Sequence, residues 1–198
     1  KMLPFLFISF IIEIEEKYTL AITTSLGYMV NNIIVDNEGS AKEAINYLKN
    51  IGRATFFPLN IIKPKHIDNE TFNIIKEEKG FIDIASNLVK YDNIYKNIIL
   101  NQLGNIIVTD NIDSATKISK KINNRYKIVT IDGQIIHVGG SMTGGKQAKQ
   151  RNIITDKYEL EENIKIKEKI TNEIKELENQ INEIDYNLKQ IEDKLYLL

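Results

Sequence analysis

From Asp156 to Leu198 the apolar residues recur in steps of four and three: Ile170, Ile174, Leu177, Ile181, Ile184, Leu188, Ile191, Leu195 and Leu198. This is a heptad with Ile174, Ile181, Leu188 and Leu195 at a, in a segment without Gly or Pro, and it predicts one strand of a coiled coil. At about 1.5 Å per residue the helix makes a rod roughly 60 Å long, longer than a small domain is wide, so its stripe needs a partner. Upstream of Ile170 the phase slips. Asn163 and Lys167 fall where apolar residues belong, while Ile164 and Ile166 sit off the seam, which predicts a stutter near the start of the rod. A single amphipathic helix packed on its own domain is the competing explanation.

Before the rod, residues 13–150 alternate short β-branched runs with helical patterns, and they repeat. Leu26-Gly27, then Asn32-Ile33-Ile34-Val35-Asp36-Asn37, then Ser40-Ala41 is echoed by Leu103-Gly104, Asn105-Ile106-Ile107-Val108-Thr109-Asp110-Asn111 and Ser114-Ala115. Each copy reads helix, glycine turn, buried strand, helix. Ser40 and Glu43 have the spacing of a capping box for a helix over Ala41 to Asn50. The Asp-Asn pairs ending the two strands read as turns and helix caps rather than catalytic carboxylates. Gly52 to Leu59 is an aromatic strand ending near Pro58, followed by a surface loop at Lys63-Pro64-Lys65-His66. Tyr126 to Ile131 and Gln134 to Val138 flank Asp132-Gly133, a two-residue hairpin signal. The fold class is therefore α/β (α+β): two pseudo-repeated halves, roughly 13–65 and 80–150, with mixed sheets, then a coiled-coil arm over 151–198.

The apolar run from Phe5 to Ile12 is too short to span a membrane, which takes about 20 residues, and no small-residue cleavage site precedes Glu13 to Glu16. Its composition predicts a buried strand over Phe5 to Ile14, with residues 1–12 forming the approach to the domain. A start at Lys1 and an end inside the heptads read as a segment of a longer protein. The net charge of −1, with 27% charged residues, excludes a basic whole-chain footprint, so any nucleic-acid contact must come from a local patch. The chain has no cysteine, which removes disulfides, thiolate metal sites and cysteine nucleophiles and fits a reducing compartment. Its two histidines, His66 and His137, are far apart in sequence and lack companions at ligand spacing, so no metal site is expected.

Chemistry-bearing patterning is confined to Gly139-Gly140-Ser141-Met142-Thr143-Gly144-Gly145. Gly140 through Lys146 satisfies G-x-x-x-x-G-K, the body of a phosphate-binding P-loop, and a nucleotide-binding domain is the alternative reading. Gln147, however, stands where a Ser or Thr hydroxyl would ligate magnesium. Both acid-ended strands also precede the glycines, whereas a P-loop domain places further strands after them. Four glycines in seven residues otherwise imply either a flexible joint or a surface where backbone must lie against a second subunit. The adjoining hairpin would supply an exposed strand edge for such docking.

Gly52-Arg53-Ala54-Thr55-Phe56-Phe57-Pro58-Leu59, the strand from Asn32 to Asp36 with its following helix, and His137-Val138-Gly139-Gly140-Ser141-Met142-Thr143-Gly144-Gly145 running into heptads together resemble the hinge of SMC (structural maintenance of chromosomes) proteins in its bacterial form. One departure is the stretch Leu3-Pro4-Phe5-Leu6-Phe7, where that family usually carries a glycine-bearing loop. The resemblance implies a two-fold, ring-like homodimer of hinges joined through strand edges and Gly139, Gly140, Gly144 and Gly145. It implies an antiparallel partner for the helix from Asp156, arriving before Lys1. It also implies weak, non-specific DNA contact where hinge meets coil, here at Lys146, Lys149 and Arg151. Those three cations would neutralise about three phosphates; a solvated helix start is the bland explanation for them. On the same resemblance the segment itself is not catalytic and holds no cofactor. ATPase heads with kleisin-type subunits would lie at the far ends of the full protein, which would be cytoplasmic and nucleoid-associated.

Overall fold

The computed structural model describes residues 6–145 and 153–196, with side chains of the second stretch described for Leu160 and residues 162–191. The chain divides into two compact units, Lys1–Ile154 and Thr155–Leu198.

The first half of the first unit runs β1 (Leu6–Phe7), α1 (Ile8–Ile11), β2 (Ile12–Ile14), α2 (Thr19–Leu26), β3 (Ile33–Val35), α3 (Glu38–Leu48) and β4 (Phe56–Pro58). A loop and α4 (Asn69–Ile75) lead to the second half: β5 (Phe81–Ile84), β6 (Val89–Tyr91), α5 (Lys96–Leu103), β7 (Ile106–Thr109), α6 (Ile112–Lys121) and β8 (Lys127–Thr130). A 3-10 turn at Ala85–Leu88 takes the place of α1 there, and 3-10 turns at Glu16–Tyr18 and Asn93–Tyr95 open α2 and α5 alike.

The sheets repeat as the sequence does. In the first, β3 lies antiparallel to β1 and parallel to β4; in the second, β7 lies antiparallel to β5 and parallel to β8. The second sheet then gains two strands, β9 (Ile135–Ile136) and β10 (Met142–Thr143), in the order β10-β9-β8-β7-β5. The halves are joined by their equivalent strands: β2 and β6 pair antiparallel, with Ile12 opposite Tyr91 and Ile14 opposite Val89.

Three local expectations are corrected. The run from Phe5 to Ile14 is not one strand, because β1 and β2 belong to different sheets and α1, with Ile8 and Ser9 buried, makes the switch between them. The helix after β3 begins at Glu38, and its cap is Asn37, whose Oδ1 accepts from the Ser40 backbone N–H at 3.0 Å. Ser40 is thus the capped residue; the Asx side chain three residues earlier wins because it sits just ahead of the first turn, within reach of its free N–H groups. The hairpin loop has three residues, Ile131, Asp132 and Gly133, since Thr130 pairs with Gln134 through an N–H to carbonyl bond of 2.9 Å. Gly133 takes φ 82°, the left-handed position that closes such loops.

The second half holds a dense aliphatic core: Ile75, Ile84, Ile107, Ala115, Ile118, Ile122, Ile128 and Ile136 are all buried together. At roughly 1.5–3 kcal/mol for each fully buried branched side chain, this cluster anchors the domain. The loop between halves is strapped onto α5. Lys65 donates its N–H to the Leu100 carbonyl, Asn101 Nδ2 donates to the Lys63 carbonyl at 2.7 Å, and a Cβ on Gly104 would stand 2.2 Å from the Lys65 carbonyl oxygen. Lys127 on β8 donates to the Ser25 carbonyl in α2 at 3.0 Å, tying the halves a second time, and burial lowers its pKa.

The second unit is α7 (Ile153–Tyr196), which begins just before the boundary and runs unbroken for 44 residues. Ile170, Ile174, Leu177, Ile181, Ile184, Leu188 and Ile191 are all exposed on it. The seam positions Leu195 and Leu198 lie outside the described side chains. No helix among the described residues is long and apolar enough to cross a membrane.

Candidate docking edges

Superposing the two halves by sequence leaves one gap. The strand beside β8 is β9, whose Ile136 is buried in one cluster with Ile118 of α6 and with Ile122 just after it. Among the described residues no strand lies beside β4, the equivalent of β8: β4 ends its sheet. Counting from the caps Asn37 and Asn111, Ala41 matches Ala115, Ala44 matches Ile118, Ile45 matches Ser119 and Leu48 matches Ile122. Of these, α3 buries Ala41 alone, Ile45 is 50% exposed, and Leu48 and Phe56 are only half-buried. The first half therefore shows an apolar face where the second half shows a filled one.

The edge of β4 is built to stay open to hydrogen bonding. The Thr55 carbonyl accepts from Ile33 N–H, and Leu59 N–H donates to the Val35 carbonyl, both toward β3 at 2.9 Å. By alternation, Phe56 and Pro58 turn their backbone groups outward. Pro58 thus places its missing N–H on the free side, where no ladder bond of its own sheet is lost. β10 is the complementary open edge of the other sheet. Its partner β9 pairs Ile136 with Met142 and Ile135 with Thr143, and His137 N–H donates to the Ser141 carbonyl at 2.8 Å. Alternation again turns the Met142 backbone outward, and the Met142 side chain is 57% exposed, beside a Val138 that is 65% exposed. His137 Nε2 and Thr143 Oγ1, 3.0 Å apart, tie the two strands across the hairpin.

The four glycines frame β10 and differ in what holds them there. Gly139 and Gly140 make the turn into the strand at φ 86° and 93°, and Gly145 leaves it at φ 106°, so positive φ alone accounts for all three. Gly144 has ordinary backbone, and a Cβ there would meet nothing nearer than Gln134 Cγ at 3.6 Å. Nothing within the described residues requires glycine at 144. Over Met142 and Thr143 the Gly140–Lys146 segment is an extended, paired strand, whereas a phosphate-binding loop curls its N–H groups around one point. Lys146, Lys149 and Arg151 lie outside the described residues. Asp36 and Asp110 take no part in the edge; a hydrogen bond from Ser40 lowers the pKa of Asp36, at the head of α3. No cluster of three potential metal ligands occurs among the described residues.

Sequence reading found the glycines but missed Phe56, Ile45, Val138 and Met142. The signal was present in the repeat, since the second copy continues into a hairpin that the first copy lacks.

Comparison with known proteins agrees with this architecture. The family model "SMC proteins Flexible Hinge Domain" matches residues 6–119. The chain is similar to the chromosome partition protein Smc of Bacillus subtilis, at 34% identity over 188 residues, covering 93% of this chain and 15% of that protein. It is also similar to Smc of Clostridium kluyveri, at 41% identity over 157 residues, covering 78% of this chain and 13% of that protein. The chain thus spans only a small part of the length of these relatives. Among solved structures, an asymmetric dimer of the Geobacillus stearothermophilus SMC hinge domain matches with TM-score 0.73 and 38% identity, covering 83% of this chain and 67% of that one. The Pyrococcus furiosus SMC hinge domain matches with TM-score 0.59 and 30% identity, covering 75% and 81%. With a family match over more than half of its length and relatives above 30% identity along most of it, the chain belongs to the SMC hinge family, and its fold is a hinge rather than a catalytic domain.

Proposed function

We propose that this chain is the dimerisation hinge of a chromosome partition protein of the Smc type, pairing with a second copy through β4 of one and β10 of the other. The observation that carries the reading is the gap beside β4: among the described residues the first half lacks the strand that its twin has, and β10 is a short strand at the end of its sheet with exposed apolar side chains. A second copy laid in that gap would extend the three-stranded sheet of one protomer into the five-stranded sheet of its partner. Two-fold symmetry repeats the contact, since each protomer has one acceptor edge and one donor edge. Val138 and Met142 would then be covered by Phe56 and the Ile45–Leu48 face of α3. Gly144, on that edge, would let the partner's backbone approach without a side chain between.

In the same reading α7 is one strand of an arm, and ATP hydrolysis belongs to distant parts of the full protein. Lys146, Lys149 and Arg151 at the start of that arm supply a small, sequence-blind contact to DNA phosphates. Kleisin-type partners would act at the far ends, and the whole would work on the bacterial chromosome.

Cross-linking tests the pairing directly, because the chain has no native cysteine to interfere. A chain carrying both Thr55→Cys and Met142→Cys, treated with a short bis-maleimide, should run as a covalent dimer on a denaturing gel, and each single variant should not. A double variant that yields only monomer would contradict the strand pairing.

A further inference from the structure

The docking hairpin is seated on the end of α6 by a small polar latch. Asn123 and Asn124 both adopt φ 52°, the only non-glycine residues with positive φ among those described. Asn tolerates that region, yet two in succession form a deliberate turn. Asn124 donates its N–H to the Ser119 carbonyl at 2.8 Å, and Ser119 Oγ donates back to Asn124 Oδ1 at 2.8 Å. The Asn124 carbonyl then accepts the N–H of Gly139 at 2.9 Å, the first residue of the turn into β10. On the next residue, a Cβ at Gly140 would come within 3.3 Å of the Asn124 amide, so the turn lies flush on this side chain. Ser119 is 1% exposed, which leaves its hydroxyl no water to choose instead.

The other half is the internal control. Ser119 corresponds to Ile45, and Asn124 corresponds to Asn50, which has no positive φ. The half without a hairpin thus keeps the asparagine but lacks both the hydroxyl and the left-handed turn. The helix end is shaped this way only where there is a hairpin to hold.

Building on the dimer reading above, we infer that Ser119 and Asn124 are positioning residues for association: they fix the height and angle of the Gly139–Gly145 turn and so present the β10 edge to a second copy. Their contribution lies in preorganising that edge rather than in touching the partner. Losing the latch lets the hairpin move while its sheet bonds to β8 persist.

The test measures dimer dissociation by sedimentation for the unaltered chain, Asn124→Gly, Asn124→Asp and Ser119→Ala. Glycine keeps the backbone conformation and removes the amide; aspartate keeps an Oδ acceptor for Ser119. Asn124→Gly and Ser119→Ala should raise the dissociation constant roughly tenfold, the scale of one well-made hydrogen bond, and Asn124→Asp should stay near the unaltered value. In a Gly144→Asp background, which is expected to be monomeric, Ser119→Ala removes the buried hydroxyl together with its bond and should leave the unfolding midpoint nearly unchanged, whereas Asn124→Gly strands that hydroxyl and should lower it. The inference fails if Asn124→Gly and Ser119→Ala associate as tightly as the unaltered chain, or if Ser119→Ala in that background loses as much stability as the dimer loses affinity. An unaltered chain that never dimerises would overturn the dimer reading itself, and this assignment with it.

Discussion

Asn37 and Asn111 occupy the same place in the two halves, with backbone angles of −152°, 171° and −153°, 172°, and each accepts at Oδ1 from the N–H three residues on, at 3.0 and 2.9 Å. The two halves therefore repeat down to the hydrogen bond that starts a helix. Replacing either with alanine leaves that first-turn N–H without its acceptor and should cost about 1 kcal/mol in each case. Denaturant unfolding of Asn37→Ala and Asn111→Ala checks this; no loss at either position would contradict the caps.

Asp68 brings a pH dependence. Its carboxylate accepts from the Thr71 N–H at 2.8 Å, the Tyr126 hydroxyl at 2.7 Å and the Thr71 hydroxyl at 2.9 Å, with Arg125 at 3.5 Å, and these hold its pKa down at about 2. A folded-state pKa below the ordinary 3.8 means that the stabilisation is complete above that value. It is lost as pH falls through it toward 2. Unfolding midpoints followed from pH 4 down to pH 2 should therefore fall more steeply for the unaltered chain than for Asp68→Asn. Parallel curves would show that Asp68 contributes nothing.

Two glycines should respond in opposite ways. Gly80 sits at φ 89°, and a Cβ there would stand 2.1 Å from Ser114 Oγ and 2.4 Å from Asp110 Oδ1. Gly80→Ala combines left-handed strain with a clash at the head of α6, and should cost more than about 2 kcal/mol of folding stability. Gly144→Ala meets neither problem, so unfolding followed at dilutions where the chain is monomeric should show an unchanged midpoint, while its dimer weakens. Equal stability losses for the two would remove the distinction between a glycine held by the fold and one held for a partner.

Much of this was readable from residues alone, and the exceptions have a common cause. The long helix and the repeat are both carried by side-chain type at fixed spacing, and both stand in the structure, as α7 and as the paired sheets. The split of Phe5–Ile14 into β1, α1 and β2 is not periodic at all; it follows from β3 and β6 competing for different parts of one apolar run. Ser40 and Glu43 fit a capping box by spacing, but the cap is Asn37 of the Asp36-Asn37 pair, which the residues also read as a turn and helix cap. The gap beside β4 could be recognised only once β9 was seen filling the equivalent place, since a missing strand has no sequence of its own. Asn124 was invisible for a related reason: an asparagine in a polar turn carries no sign that its carbonyl holds Gly139.

The proposed DNA contact carries a salt signature. If Lys146, Lys149 and Arg151 meet phosphates, replacing all three with glutamine should reduce the slope of log affinity against log salt by about three. Fluorescence anisotropy with a labelled duplex, read across a salt series, measures it. An unchanged slope would assign any binding to other residues.

The most direct test of the whole reading is the molecular mass in solution. Sedimentation equilibrium on the unaltered chain at micromolar concentration should give twice 22.8 kDa. Gly144→Asp, which sets a carboxylate on the open edge of β10 without straining the fold, should give the single-chain mass with an unchanged circular dichroism spectrum. A single-chain mass for the unaltered protein, or a dimer that survives Gly144→Asp, would contradict it.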